Sequence, residues 1–212
     1  MKKSAKLVRS KGSALSVQPA ATKSRINEQI ARRVRLLRSQ LNLSLEALSE
    51  KCNVSRSMLS VIERGESSPT AVALEKIAAG LGVPLASLFE DPRAVGSPVS
   101  HSADRERWQD PQSGYRRRNI SPANFPSPIK IVEIELPAGA RVAYEAGVRE
   151  SRIHRQIWVQ EGTIEVTVGT VTYVLNRDDC FASTQDEATT YVNRTDRTAR
   201  YFVVLAIAAH LG

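Results

Sequence analysis

Cysteine, histidine and aromatic side chains are scarce in this chain. Its 212 residues include two cysteines, Cys52 and Cys180, which have no metal-ligand spacing and form no disulfide framework, so reduced thiols and a cytoplasmic setting are expected. The only three histidines, His101, His154 and His210, leave little from which to build a transition-metal centre. No apolar run approaches the roughly 20 residues of a membrane helix, and none near the amino end resembles a signal h-region, so no membrane partner is expected. Acidic residues are missing from residues 1–24, which carry six basic ones. Residues 25–90 hold nine basic against seven acidic residues and residues 91–212 fifteen of each, so the net charge of +8 sits at the amino end. That composition reads as a disordered basic arm over 1–24, able to strengthen attraction to a phosphate backbone by counterion release, or as a plain flexible tail.

What the chain does have is helical period followed by strand period. Ile26, Ile30, Val34, Leu37 and Leu41 recur at the spacing of an amphipathic helix. Ser44 can cap a short second helix from Leu45 to Lys51, and Asn53 suits a turn that needs positive φ. Ser55 can cap a third helix to about Arg64, with Leu59 and Ile62 inward and Arg56, Ser57, Ser60 and Val61 outward. Gly65 ends it. Pro69 and Thr70 open a fourth helix carrying Leu74, Ile77, Ala78 and Leu81, and Pro84 to Phe89 reads as a brief fifth.

The run VSRSMLSVIERGESSPT resembles the third helix and following loop of lambda-repressor-like, XRE-type helix-turn-helix regulators, and the order of five helices matches that family over Ile26 to Phe89. The resemblance implies an all-α DNA-binding domain over 25–90 whose third helix enters the major groove of a double-stranded operator. Arg56, Ser57 and Val61 then fall at positions that read bases: Arg56 can grip guanine bidentately, and Val61 can offer a methyl contact to thymine. Ser44, Ser55, Ser60 and Arg64 suit phosphates. Leu45 stands where the family often has glutamine, which removes one polar contact. Each of these side chains can also be read as an ordinary solvated surface residue.

Residues 91–114 are rich in proline, serine and charge and read as a linker. Arg116, Arg117 and Arg118 belong either to a DNA contact or to an early strand, and the strand is preferred. Eight alternating segments follow, from IKIVEIEL at Ile129 to ARYFVVLAI ending at Ile207, separated by turn signals such as Glu161-Gly162. They suggest a sandwich or barrel of the jelly-roll type. IWVQEGTIEVTVG, VLNRDDCFAS and YVNRT together resemble the two motifs of the cupin family, with Asp178 where glycine usually stands. The expected whole is multidomain, with a five-helix lambda-repressor-like domain followed by an all-β cupin barrel over 115–212.

Cupin enzymes hold a metal through histidines and a carboxylate. Counted from Gly162, that glutamate position falls on Arg155 and the paired histidines on Arg149 and Ser151, or on Val148 and Glu150 if the loop is one residue longer, while counting back from Asn193 puts the third histidine at Thr189. By this resemblance no ligand remains in register, and neither a metal, another cofactor nor a catalytic residue is expected. Strand alternation turns His154 away from the face that holds Arg155. An inward guanidinium suits a carboxylate or phosphate. The expected effector site is therefore Arg149, Arg155, Ile157, Val159, Thr189, Tyr191 and Asn193, taking a small anionic metabolite. The alternative is a filled barrel in which Arg155 pairs with Glu145, Glu150 or Glu165. Trp158 belongs to the outer face.

Together these readings predict a cytoplasmic, nucleoid-associated regulator, a repressor, that binds its operator as a homodimer and senses an anion. Two rivals stand beside it: a metal-dependent cupin enzyme that regulates its own gene through its DNA-binding head, and a cupin domain used only for dimerisation.

Overall fold

A computed structural model describes residues 19–93, 96–146 and 153–207. The first helix, α1 (Pro19–Gln40), opens on proline, whose missing N–H costs nothing in the first turn. It starts inside the segment assigned above to the arm; residues 1–18 and Arg149 lie outside the described residues. Ile26, Ile30 and Val34 of α1 are buried as their spacing requires, but Leu41 lies beyond the helix end and is half exposed.

Three capped helices follow. Ser44 Oγ accepts the Ala47 amide to start α2 (Leu45–Cys52), and Asn53 closes it in the left-handed conformation at φ 50°. Ser55 Oγ accepts the Met58 amide to start α3 (Arg56–Glu63), and Thr70 caps α4 (Ala71–Gly80). Gly80 is there for space, since a Cβ on it would meet Cys52 Cβ at 2.7 Å. The expected fifth helix is a 3-10 turn, Leu85–Phe89, so the domain has four α-helices. Pro84 precedes a segment of only five residues, too short to settle into α-helical hydrogen bonding, and its side chains are all buried.

The β domain contains ten strands among the described residues: β1 (Trp108–Gln109), β2 (Arg116–Asn119), β3 (Ile129–Leu136), β4 (Arg141–Tyr144), β5 (Ile153–Glu161), β6 (Ile164–Val168), β7 (Val171–Leu175), β8 (Cys180–Thr184), β9 (Thr189–Val192) and β10 (Ala199–Ile207). The eight alternating sequence segments correspond to β3 through β10, and the arginine triplet lies in β2. All pairings are antiparallel, in a six-stranded sheet β1-β2-β3-β10-β5-β8 and a four-stranded sheet β4-β9-β6-β7. Strand β5 alternates buried and exposed residues along most of its length, sending Ile153, Arg155, Ile157 and Val159 inward. Gly162 makes the β5–β6 turn at φ +78°, and a Cβ added there would lie 3.0 Å from Ala199 Cα, so any side chain would be both strained and crowded. Asp178, standing at the cupin glycine position, takes φ 69° itself, which aspartate tolerates better than most residues.

The stretch read as a linker is packed. Trp108 and Asp110 are both buried, and Trp108 stands edge-on between Phe89 and Tyr115 at centroid distances of 5.4 and 5.9 Å. Asp110 Oδ1 accepts the Ala71 amide at the start of α4, while its Oδ2 accepts from Ser113. Glu90, also buried, receives Arg33 from α1 at 3.1 Å and Lys130 from β3 at 2.7 Å. These contacts join the two domains through one continuous core. Among the described residues no helix is long and apolar enough to cross a membrane.

Candidate functional site

The exposed face of α3 begins at its capped end. Arg56 and Ser57 are exposed, Ser60 and Val61 half-buried, and Arg64 exposed, so the residues expected to meet DNA share one surface. Among the described residues Arg56 is held only by a loose 3.6 Å ion pair to Glu46, both partners being mostly solvated, so its guanidinium can exchange that partner for a base. Ser44 and Ser55 use their oxygens as helix caps; the Ser44 hydroxyl hydrogen stays available to a phosphate, while the Ser55 hydroxyl also bonds with Ser57 Oγ at 3.2 Å. Ser60 Oγ accepts from Arg64 Nη1 at 2.5 Å, and Arg64 also pairs with Glu66 at 2.8 Å, which holds that carboxyl below its ordinary value. Leu45 differs from the rest: it is half-buried and packs against the core. Met58 was missed. It is 47% exposed beside Arg56 and Ser57, and its thioether arm is the largest apolar group on that part of the helix.

The far end of α3 is anchored on α1. Glu63, the last residue of α3, is buried and receives Arg38 of α1 through Nε at 2.7 Å and Nη2 at 3.0 Å. Arg35 donates to the Glu63 carbonyl. Two arginines of α1 therefore grip the end of the helix whose beginning faces outward.

A second site lies between the domains. A cavity of about 280 Å³ is bounded on the β side by Arg155, Arg117, Tyr115, Tyr144, Tyr191 and Tyr201, and on the helical side by residues of α2 and α4. Arg155 is buried and donates to Tyr191 Oη at 2.8 Å, Ser183 Oγ at 2.7 Å and Thr189 Oγ1 at 3.3 Å. Its alternative carboxylate partners are engaged elsewhere: Glu145 with Lys76 at 2.9 Å and Glu165 with Arg194 at 2.7 Å, while Glu150 lies outside the described residues. Thr189 and Tyr191 line the cavity with Arg155, but Ile157, Val159 and Asn193 do not. Ile157 and Val159 are fully buried core. Asn193 braces a turn, donating to the Leu136 and Arg197 carbonyls and accepting from Thr195. Sequence reading left out Arg117 and three of the tyrosines, which converge only through cross-strand register: Arg117 pairs with Ile134, and Ile134 with Tyr201. Burial pushes all four tyrosine hydroxyls up, Tyr144 and Tyr201 well above their ordinary value, so they stay protonated hydrogen-bond donors.

This donor set does not fit a divalent cation. Two guanidiniums, Arg117 and Arg155, stand in the cavity lining and repel a divalent ion, and His154 is exposed on the opposite face of β5. Among the described residues no three histidine, cysteine or acidic side chains come together.

Comparison with known proteins agrees with the helical geometry. The Helix-turn-helix family model matches residues 34–88. Over 59 residues the chain is 48% identical to the HTH-type transcriptional regulator SutR of Escherichia coli (strain K12), covering 28% of this chain and 33% of that protein, so the match spans a third of the relative's length. It is 39% identical over 57 residues to the control protein C.MunI of a Mycoplasma species, covering 27% of this chain and 77% of that one. The crystal structure of an HTH_3 family transcriptional regulator from Vibrio cholerae superposes with a TM-score of 0.71 at 27% identity, over 88% of this chain and 99% of that one. With its capped α2–Asn53–α3 unit and these relatives, the chain belongs to the helix-turn-helix family.

Proposed function

We propose that this protein is a sequence-specific DNA-binding transcriptional regulator, a repressor, whose cupin-like β domain pairs two copies and senses a small anionic metabolite. The observation that carries the DNA-binding part is the outward α3: its amino end presents Arg56, Ser57 and Met58 to solvent while its carboxyl end is clamped to α1 through Glu63. A helix held at one end and exposed at the other is what insertion in the major groove requires. Two such heads in a homodimer would address half-sites about one helical turn, or a multiple of it, apart. Support for sensing comes from Arg155, a buried cation facing a cavity and bonded only to hydroxyl groups among the described residues. The reading assigns no catalytic step and a cytoplasmic location to the chain.

Genome-wide footprinting followed by anisotropy titration on the recovered operator tests the DNA-binding part. Arg56→Ala should cost about 1–3 kcal/mol on the operator and relax one base position. Arg64→Ala should instead weaken every sequence alike and reduce the salt slope by about one. Unchanged operator binding in both variants would sink the assignment of α3.

A second reading, that the β domain serves dimerisation alone, is favoured by the outer face of the six-stranded sheet. Trp158 is 46% exposed there and lies beside Phe202 at 6.3 Å between centroids. The two readings separate on ligand binding.

A further inference from the structure

The cavity beside Arg155 is bordered by the DNA-binding domain. Val72, Glu75, Lys76 and Ala79 of α4 border it, and so do Lys51 and Asn53 at the turn between α2 and α3. A molecule seated there would touch both the sheet and the helix-turn-helix unit.

Two guanidiniums reach this cavity from the six-stranded sheet. Arg155 is held by the hydroxyls of Tyr191, Ser183 and Thr189 and, among the described residues, forms no ion pair. Arg117 lies over the face of the Phe89 ring, 4.3 Å from its centroid, and its buried Nε donates to no protein atom among the described residues. Burying a cation without a carboxylate is costly, and an arriving anion offsets that cost. The walls add protonated donors and flat apolar surface: the Tyr191 and Tyr201 rings stack at 6.1 Å and 10°. Three carboxylates, Glu75, Glu145 and Glu187, also border the cavity, Glu145 being paired with Lys76, and together they disfavour a second negative charge on a ligand. A volume of about 280 Å³ lies at the small end of ligand sites.

We propose that this cavity binds a small organic acid with one carboxylate and an apolar, aromatic-compatible body, anchored by Arg117 and Arg155 and covered by α4. Ligand and operator affinity are thereby coupled within a single chain. The inference rests on the reading that the β domain senses an anion, and adds where the ligand sits, its single charge and the second anchor. The coupling is direct, because α4 packs on α2 through the Gly80–Cys52 contact and Asn53 is the turn that aims α3. Coupling of this kind is reciprocal: whatever factor the acid imposes on operator affinity, the operator imposes on acid affinity.

The test uses the full chain, with benzoate as the probe, benzamide as its uncharged counterpart and terephthalate as the diacid. Calorimetry should show benzoate binding at least tenfold more tightly than either. Arg117→Met and Arg155→Met should each weaken benzoate at least tenfold. Val72→Phe, which fills the cavity from the helical side, should abolish binding in a variant that leaves both arginines in place. Benzoate should also shift operator affinity in the wild type and not in Val72→Phe. Thermal unfolding of Arg117→Met checks that loss of the Phe89 contact has not unfolded it, and Val72→Phe gives the same answer independently. If Val72→Phe binds benzoate as the wild type does while Arg155→Met does not, the ligand lies within the barrel alone; this inference then falls and the sensing reading stands. A wild type that binds none of the three probes overturns the inference, and sensing itself falls only if a wider panel of phosphates and polycarboxylates also fails.

Discussion

Single residues fix how α3 is presented, and Glu63 does most of this. Its carboxylate is 7% exposed and takes both Arg38 nitrogens, so the end of α3 cannot roll relative to α1 without breaking a bidentate pair. Removing one partner of a buried pair costs more than the pair contributes, because the other charge remains. Glu63→Ala should therefore destabilise the protein by about 3 kcal/mol, the low end of the usual range because Arg38 keeps some contact with water. Urea denaturation measures the loss, and a change under about 1 kcal/mol would show that the clamp is not structural. This residue was not legible beforehand. Glutamate near the end of an amphipathic helix looks solvated until two arginines on another helix are seen to reach it. Arg155 was legible through the register that the cupin resemblance implies, and the observed alternation of β5 buries it as that register requires. Arg117 was not, since a run of three arginines fits either strand phase and only pairing with β3 decides which one points inward.

At the scale of elements, local chemistry carried the reading well. Serine or threonine caps stand at the start of α2, α3 and α4, and Asn53 holds the turn. The exception, Leu85–Phe89, has the apolar content of a helix but the length of a turn, and length decided. The strands also agreed with their alternation, yet what gathers between them did not show. Tyr115, Tyr144, Tyr191 and Tyr201 come from four different strands or strand ends and meet around one cavity. Their shared burial has a pH consequence. In the unfolded chain these hydroxyls ionise near 10, whereas in the folded protein burial keeps them protonated above that value. Unfolding then releases protons, so stability is fully present below about pH 10 and is lost as pH rises through the folded values. Melting temperature should fall steadily from pH 10 upward, and Tyr201→Phe should make that fall shallower. An identical slope in the variant would show that the Tyr201 hydroxyl is not held neutral by the fold.

For the whole molecule, the decisive feature is a segment whose composition resembled a tether. Proline, serine and charge from 91 to 114 suggest a loop, whereas the segment holds the short strand β1 and a 3-10 turn at Ser102–Asp104, and they say nothing about docking, which depends on three side chains at its far end. Trp108 fills the gap between Phe89 and Tyr115, Asp110 supplies the cap of α4 from the β side, and Arg25 of α1 reaches Glu106 at 2.8 Å. Add the Arg33–Glu90–Lys130 group, and the helical and β domains share core, ions and a helix cap. Domains joined in this way unfold together, because neither can open without exposing the surface of the other. Calorimetry of the intact chain should show one transition. Trp108→Ala deletes the central wedge and should cost about 3–5 kcal/mol. The loss falls on the interface and leaves each domain its own interior, so the single transition should split in two. It should also weaken any ligand control of operator binding, because a head no longer seated on the sheet cannot feel what the sheet holds. Two transitions already present in the wild type would mean that the domains are independent, and the proposed coupling within one chain would then fall.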